Sequence, residues 1–284
     1  MLIGRIIAVA VALCAAGSAS AQAPAPAKGS HSGLIAEWLE MVSRTQAAQP
    51  HWITPLVTVT PRLEQEFRFD ADWLTNSSGI TTENYDGGKG LEIIPNPRIE
   101  MLFNLPPYLV HNSPALRDGF GDVSFMMKYR VLASDEEGGN YILTVFLAGT
   151  VPTGSYMNGS PDAIITPTIA YGKGFAQFDV QGTIGASLPT GDEAFIGRTY
   201  SWNNAIQYHV VRARLWPEVE VNYSRFQDSR NNGQTQVFIT PGMVIGKLHL
   251  RGRTGLTFGA GLQIAATHFH TSNHNAILSV RIPF

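Results

Sequence analysis

The last nine residues of the chain alternate between apolar and other side chains. Ala276, Leu278, Val280, Ile282 and Phe284 occupy every second position. A strand with this period shows one face to an apolar environment and the other face to a more polar one. The pattern favours the closing strand of a bacterial outer-membrane β-barrel, with Phe284 as the expected signal for the barrel assembly machinery. The alternative is a soluble β-sandwich whose last strand ends in Phe.

The same period of two occurs in Arg62–Trp73. Its large apolar residues share one parity, and its charged residues from Glu64 onward share the other. A strand that separates lipid from a polar interior produces this pattern, and so does a sheet with one face in water. The number of such segments must therefore decide between the two.

Twelve segments carry the pattern, with Asn204 as an unexplained polar residue on an apolar face. The expected strands are 58–73, 88–94, 98–105, 121–132, 140–151, 162–172, 174–188, 199–210, 213–225, 234–246, 251–266 and 275–284. The odd-numbered connections tend to be long (74–87, 106–120, 152–161, 189–198, 226–233 and 267–274). The even-numbered connections tend to be short (95–97, 133–139, 173, 211–212 and 247–250). This alternation predicts an all-β fold, a closed antiparallel transmembrane barrel of about twelve strands, rather than a Greek-key sandwich.

The N-terminus reads as an export signal. Arg5 precedes an apolar run, and Ala19-Ser20-Ala21 is a small-x-small cleavage site, so residues 1–21 are expected to be a signal peptide. The one cysteine, Cys14, lies inside it, so the mature chain would have neither a disulfide nor a thiol nucleophile. We therefore expect an exported protein located in the bacterial outer membrane, in contact with its lipid.

Residues 22–57 form a separate region before the predicted barrel of residues 58–284. A Pro- and Ala-rich leader precedes a stripe of apolar residues at helical spacing, which predicts a short amphipathic helix over about 33–47. This helix could pack in the periplasm against the barrel mouth, act as a plug in the lumen or bind a partner. The overall net charge of −2 argues against nucleic acid as a partner.

The polar parity of the strands supplies candidates for the lining of the lumen. A barrel of twelve strands is wide enough for a narrow passage. Both signs of charge are present, so strong selection for anions or cations is not indicated. The side chains either form a polar path for a small solute or pair with one another and stiffen the interior. The candidates are Glu64, Glu66, Arg68, Asp70, Glu100, Lys128, Arg130, Asp179, Glu218 and Glu220.

One loop offers a different chemistry. His268, His270 and His274 could hold a metal, although a polar loop with exposed histidines is the simpler interpretation, and we predict no metal or cofactor. His270-Thr-Ser-Asn273 also resembles the His-x-Ser-Asn motif of outer-membrane lipid A deacylases, in which Ser attacks an ester and His takes its proton. Ser272 has no acidic residue after it, so an acid such as Asp228 would be needed.

Four longer stretches are similar to the MetA-pathway phenol-degradation family. They are Thr58–Phe67, Pro97–Phe103, Gly119–Arg130 and Val151–Gly154. The resemblance covers most of residues 58–284 and implies an outer-membrane transporter of small organic compounds, with aromatic compounds as one option. It brings no established binding residues. The predicted function is a channel or transporter; the alternatives are a barrel lipid hydrolase that uses Ser272 and His270, or a structural envelope barrel.

Overall fold

The computed structural model describes residues 31–86, 89–210 and 214–284. The predicted signal peptide and residues 22–30 of the leader lie outside them. The chain divides into two units between Glu37 and Trp38. The first unit includes the beginning of a helix. The second unit, Trp38–Phe284, contains the rest of that helix, an irregular segment and every strand named below.

Helix α1 spans His31–Ala47, and the short helix α2 spans Glu193–Ile196. Within the described residues, no helix is long and apolar enough to cross a membrane. The strands are β1 Glu66–Thr75, β2 Thr81–Tyr85, β3 Leu91–Asn96, β4 Ile99–Asn104, β5 Tyr108–His111, β6 Gly119–Phe120, β7 Val123–Ser134, β8 Tyr141–Val151, β9 Ile164–Phe175, β10 Phe178–Pro189, β11 Arg198–Tyr208, β12 Leu215–Gln227, β13 Thr235–Arg251, β14 Thr254–Ala265 and β15 His274–Pro283.

Every strand pairs antiparallel with its neighbours, and the sheet closes on itself. The first and last strands join over ten residue pairs, from Glu66↔Pro283 to Thr75↔His274. Closure gives every described strand except the two-residue β6 a strand partner on both sides. A lipid environment requires such pairing because lipid cannot bond to free backbone groups.

The fifteen described strands occupy twelve positions in the wall. β1 pairs with β2 towards one end and with β3 towards the other, so β2 and β3 share the second position. β4 and β5 share the third position, and β6 and β7 share the fourth. The predicted count of twelve is therefore confirmed, but three of the positions are interrupted along their length.

Two predicted loops contain strands. Residues 74–87 include β2, and residues 106–120 include β5 and β6. Pro106 and Pro107 lack the N–H that continuous pairing needs, which accounts for the interruption between β4 and β5. The predicted strand 58–73 is also partly wrong, because the wall begins only at Glu66. Pro61 lies in the part that leaves the wall.

The two ends of the barrel differ in their connections, as predicted. We call one end the turn end: it carries the connections 97–98, 135–140, 176–177 and 252–253 and the end of β11 and start of β12, together with the start of β1 and the finish of β15. We call the other the loop end: it carries 76–80, 112–118, 152–163, 190–197, 228–234 and 266–273.

The apolar parity faces outward. Phe67, Phe125 and Leu262 are 37%, 48% and 41% exposed, whereas the charged neighbours Arg68 and Glu100 are almost fully buried. This distribution is the reverse of a soluble sandwich, whose apolar residues meet between two sheets. The soluble alternative is therefore wrong, and the wall has the polarity of a membrane barrel.

Asn204 on the outer face has a specific partner. Its Oδ1 accepts a hydrogen bond of 2.7 Å from the hydroxyl of Tyr171, which in turn accepts one of 2.8 Å from Trp202 Nε1. Gly182 lies between Tyr171 and Asn204 in the register. A Cβ at this glycine would lie 2.5 Å from the Tyr171 hydroxyl, so its absence lets the tyrosine reach across the strand.

We predict that Asn204→Val lowers the free energy of unfolding by about 1 kcal/mol, because the Tyr171 hydroxyl loses its acceptor on an apolar face. Urea unfolding of the protein folded into lipid vesicles measures the change. The double variant Tyr171→Phe/Asn204→Val should be less destabilised than the sum of its two single variants, since neither polar group remains. Strict additivity of the two changes would contradict a direct interaction.

Candidate functional site: an occupied lumen

The irregular segment of residues 48–65, which we call the inserted segment, lies inside the barrel. Trp52, Leu56 and Leu63 in this segment are 0–2% exposed, although no strand or helix contains them. Buried backbone groups outside regular structure need other hydrogen-bond partners. Here the inner face of the wall supplies them.

Two carboxylates of β12 accept hydrogen bonds from three consecutive backbone N–H groups of the inserted segment. Leu56 donates to Glu218 Oε1 at 3.1 Å. Val57 and Thr58 donate to the two oxygens of Glu220 at 2.7 and 2.6 Å. Hydrogen bonds to an ionised acceptor are stronger than those between neutral groups. Glu218 and Glu220 therefore hold the segment directly.

Two arginines bind the carbonyl groups of the same stretch. Arg68 on β1 donates to Leu56 O at 2.6 Å and to Pro55 O at 3.3 Å. Arg281 on β15 donates to Pro55 O at 2.9 Å and also to Thr54 O. Residues 54–58 are thus bound through their carbonyls by guanidinium groups and through their N–H groups by the carboxyl oxygens of Glu218 and Glu220.

Further hydrogen bonds join the inserted segment to other strands. They are Gln181 Nε2 to Ile53 O at 2.8 Å, Thr60 Oγ1 to Gln181 Oε1 at 2.7 Å, Thr144 Oγ1 to Pro61 O at 2.5 Å, Lys128 Nζ to Arg62 O at 3.4 Å, Glu64 N to Glu100 Oε2 at 2.5 Å and Ile94 N to Gln65 Oε1 at 2.8 Å. Contacts on so many sides mean that the segment fills the cross-section of the lumen. A plug was one alternative for the helix over about 33–47, and the residues that plug the lumen are instead 48–65, which follow that helix.

Glycines on the inner face make room for the apolar side chains of the segment. A Cβ at Gly259 would lie 2.5 Å from Leu56 Cδ2, and one at Gly242 would lie 2.6 Å from Leu56 Cδ1. A Cβ at Gly172 would lie 2.5 Å from the ring of Trp52. The wall is therefore shaped to fit this segment.

Most of the charges predicted to line the lumen lie inside the barrel in pairs. Ion pairs join Arg68 to Asp70 at 2.8 Å and Lys128 to Glu100 at 2.8 Å, and Asp179 forms a hydrogen bond of 3.0 Å with His209 Nε2. Pairing offsets part of the cost of removing these groups from water. These residues therefore pair with one another, and several of them also bind the inserted segment, which the sequence did not predict. Their role as a polar path for a solute stays a prediction.

Three of the residues that were predicted to line the lumen from the wall have a different position or set of contacts. Glu64 lies on the inserted segment, where it forms an ion pair with Arg62 at 2.9 Å. Arg130 lies near the turn end and donates to Thr45 O of helix α1 and to Pro97 O, both at 2.8 Å, and to Gln49 Oε1 of the inserted segment at 3.3 Å. Glu66 is buried, and its Oε1 has no hydrogen-bond partner among the described residues.

A contact at the turn end fixes the entry of the inserted segment. Both the backbone N and the Nδ1 of His51 lie 2.7 Å from the carboxylate of Glu136, in the β7–β8 connection. Partial burial acts to raise the pKa of Glu136, but the hydrogen bonds from His51 outweigh it and hold this pKa below its ordinary value. The carboxylate therefore remains ionised, and the contact intact, at neutral pH.

Open space remains on both sides of the plug. A cavity of about 420 Å³ lies at the turn end, and another of about 270 Å³ lies towards the loop end. The second is bordered by uncharged residues, among them Ser124, Met126, Thr150 and Thr166. The lumen is thus a passage blocked at one level, with space above and below the block.

The histidine loop does not form the arrangement that hydrolysis needs. The two ring nitrogens of His270 lie 2.9 Å from Thr267 O and 2.9 Å from Asn273 Oδ1. Asp228 bonds to Arg198. His270 is therefore not oriented by an acid or positioned as the base of Ser272. In the described part of the chain, no three His, Cys, Asp or Glu side chains come together as a metal site.

These features define a twelve-stranded barrel of the outer-membrane channel type with an occupied lumen. The chain belongs to the family described as "Putative MetA-pathway of phenol degradation", whose model matches residues 97–269. This finding confirms the resemblance seen in the sequence. No curated protein matches the chain.

Two solved structures share the fold. One is the COG4313 outer membrane channel from Pseudomonas putida F1, with a TM-score of 0.53 and 16% identity over 76% of this chain and 94% of that one. The other is the NanC porin, with a TM-score of 0.52 and 9% identity over 76% of this chain and 98% of that one.

We predict that Gly259→Val displaces the inserted segment, because the new side chain would occupy the space of Leu56. Trypsin should then cut after Arg62, which is 2% exposed in the intact structure. Mass spectrometry of the digested, vesicle-embedded protein detects the fragment that begins at Leu63. The second change Leu56→Ala should restore protection.

The matched control is Ala260→Val, which places the same side chain on the outward face of the same strand. Equal cleavage after Arg62 in the unaltered protein and in Gly259→Val would refute the buried position of the segment.

Proposed function

We propose that this protein is a channel of the bacterial outer membrane for small organic solutes, with aromatic compounds among them. It is exported by a signal peptide over residues 1–21. The turn end faces the periplasm and the loop end faces outward, since outer-membrane barrels have short periplasmic turns and longer outer loops. The barrel assembly machinery recognises the C-terminal strand and Phe284.

The observation that carries this proposal is the manner in which the lumen is blocked. The side chains of the wall do not close it by themselves; a separate stretch of chain does, held by side-chain hydrogen bonds. Such a segment can leave or shift without opening the wall, because the strand ladders do not depend on it. We infer that the inserted segment is the gate of the channel.

The family description and the fold of the two solved structures support a role in passage of solutes. The lipid hydrolase alternative has no support from the geometry around Ser272. A purely structural barrel would not need open space on both sides of a removable block.

Conductance of the full chain in planar lipid bilayers tests the proposal. We predict a mostly closed channel with brief openings. Glu220→Gln should raise the open probability at least about tenfold, because the amide oxygen can accept from only one of Val57 and Thr58 while the amide NH2 group faces the other N–H donor. Loss of a hydrogen bond to a charged acceptor costs about 1.5–3 kcal/mol.

Glu193→Gln is the control, since it removes one carboxylate from the loop-end helix α2, far along the chain from the gate contacts. The channel proposal fails if folded protein shows no conductance in the unaltered form, in Glu220→Gln and in Gly259→Val alike. Conductance that is present but equal in all forms would instead reject the inserted segment as the gate.

A further inference from the structure

The cavity at the turn end has an excess of positive charge. Four cationic side chains border it, Arg62, Lys247, Arg253 and Arg281, against two carboxylates, Glu64 and Glu66. Glu64 is already paired with Arg62 at 2.9 Å. Among the described residues, neither Lys247 nor Arg253 has a carboxylate within ion-pair distance. Two cations at one cavity thus have no direct ion-pair partner among the described residues.

The position of Lys247 depends on a local irregularity of β13. Its neighbour Ile245 faces outward and is 42% exposed, and in a regular strand Lys247 would face outward too. The pairing of β13 with β14 shifts between Ile245 and Leu248, and Lys247 has a φ of 45°. Such bulges redirect side chains, and here the bulge places Lys247 at the border of the cavity.

A buried cation with spare hydrogen-bonding capacity also borders the cavity. Arg62 is 2% exposed, and its Nε is a buried donor without a hydrogen-bond partner among the described residues. A buried donor left without a partner costs about 1–3 kcal/mol. An anionic oxygen is the kind of partner that this donor lacks.

The rest of the cavity suits an organic molecule. Ile53, Ala47 and Pro283 contribute apolar surface next to the cations. The volume of about 420 Å³ lies within the range of small-molecule sites. A small inorganic anion would use the charges but would leave the apolar surface and much of the volume unused.

We propose that this cavity is a binding site for small organic carboxylates at the periplasmic mouth of the channel. Lys247, Arg253 and Arg62 attract the carboxylate, while the apolar lining contacts the body of the molecule. The proposal rests on the proposed function, since it places a binding step on the same path of solutes and narrows their class to organic acids.

Calorimetric titration of the full chain, folded in detergent, tests the site with three probes. Benzoate should bind. Benzamide has the same shape without the charge, and inorganic phosphate has charge without an apolar body. Both should bind at least about tenfold more weakly than benzoate: benzamide because it lacks a charge-assisted hydrogen bond, and phosphate because it lacks the apolar contact. Equal binding of benzoate and benzamide, or phosphate as tight as benzoate, overturns the proposal.

The variants Lys247→Gln and Arg253→Gln should each weaken benzoate about tenfold, since each removes one cation from the site. The matched control is Arg251→Gln, at the end of β13 and outside the lining, which should bind benzoate unchanged. Affinity unaltered by the first two variants, or reduced equally by the third, rejects the site. Strand content by circular dichroism confirms that each variant folds.

Bilayer conductance of the same preparations separates the two proposals. Conductance without benzoate binding would support the channel proposal and reject only the binding-site proposal. Benzoate binding without conductance in the unaltered protein or in any variant would support the binding-site proposal and reject the channel proposal.

Discussion

The structure depends on how the buried backbone of residues 54–58 is satisfied. This stretch belongs to neither a helix nor the sheet, so each buried N–H and C=O group requires a partner from elsewhere. Glu218 and Glu220 accept from the N–H groups, and Arg68 and Arg281 donate to the carbonyls. The inner charges of the wall thus replace a strand ladder.

The same contacts explain why so many ionisable groups occur inside one barrel. An isolated charge away from water is costly, and even a paired one gains little over an apolar replacement. Ion pairs such as Lys128–Glu100 reduce that cost, and Lys128 also donates to Arg62 O of the inserted segment. Apolar residues at these positions could fill the space, but they could not bond the backbone of the plug. The polar side chains of the lumen are therefore suited to binding the backbone of the inserted segment.

The sequence was sufficient for the architecture of the wall. A period of two assigns each side chain to one face, so the inward position of Asp179 and the outward position of Phe125 could both be predicted. The sequence was insufficient for Thr58–Gln65. The polar residues of this stretch have the period of a strand, and they were therefore predicted to belong to the barrel wall. Pro61 was the available signal against a strand.

The contents of the lumen could not be predicted from local patterns, because the contacts join residues far apart in the chain. Leu56 meets Glu218 over a separation of 162 residues, and its side chain fits against Gly242 and Gly259 on two neighbouring strands. One signal was present without being recognised: Gly242, Gly246, Gly259 and Gly261 all fall on the inward parity of β13 and β14. Glycine has no side chain to fill an interior, so a row of them on the inner face indicates that another element occupies the space.

The cavities on the two sides of the inserted segment differ in the charge of their linings. The loop-end cavity is bordered by hydroxyl groups and apolar side chains without charge, whereas the turn-end cavity carries Lys247 and Arg253, which have no ion-pair partner among the described residues. Between them lies the inserted segment, whose residue Arg62 borders the turn-end cavity and whose residue Leu56 contacts the wall glycines. An anion that reaches Arg62 competes with Glu64 for the same guanidinium, within the chain that blocks the lumen. Occupation of the turn-end cavity and the position of the proposed gate therefore share one side chain, through which the proposed ligand would act on the inserted segment.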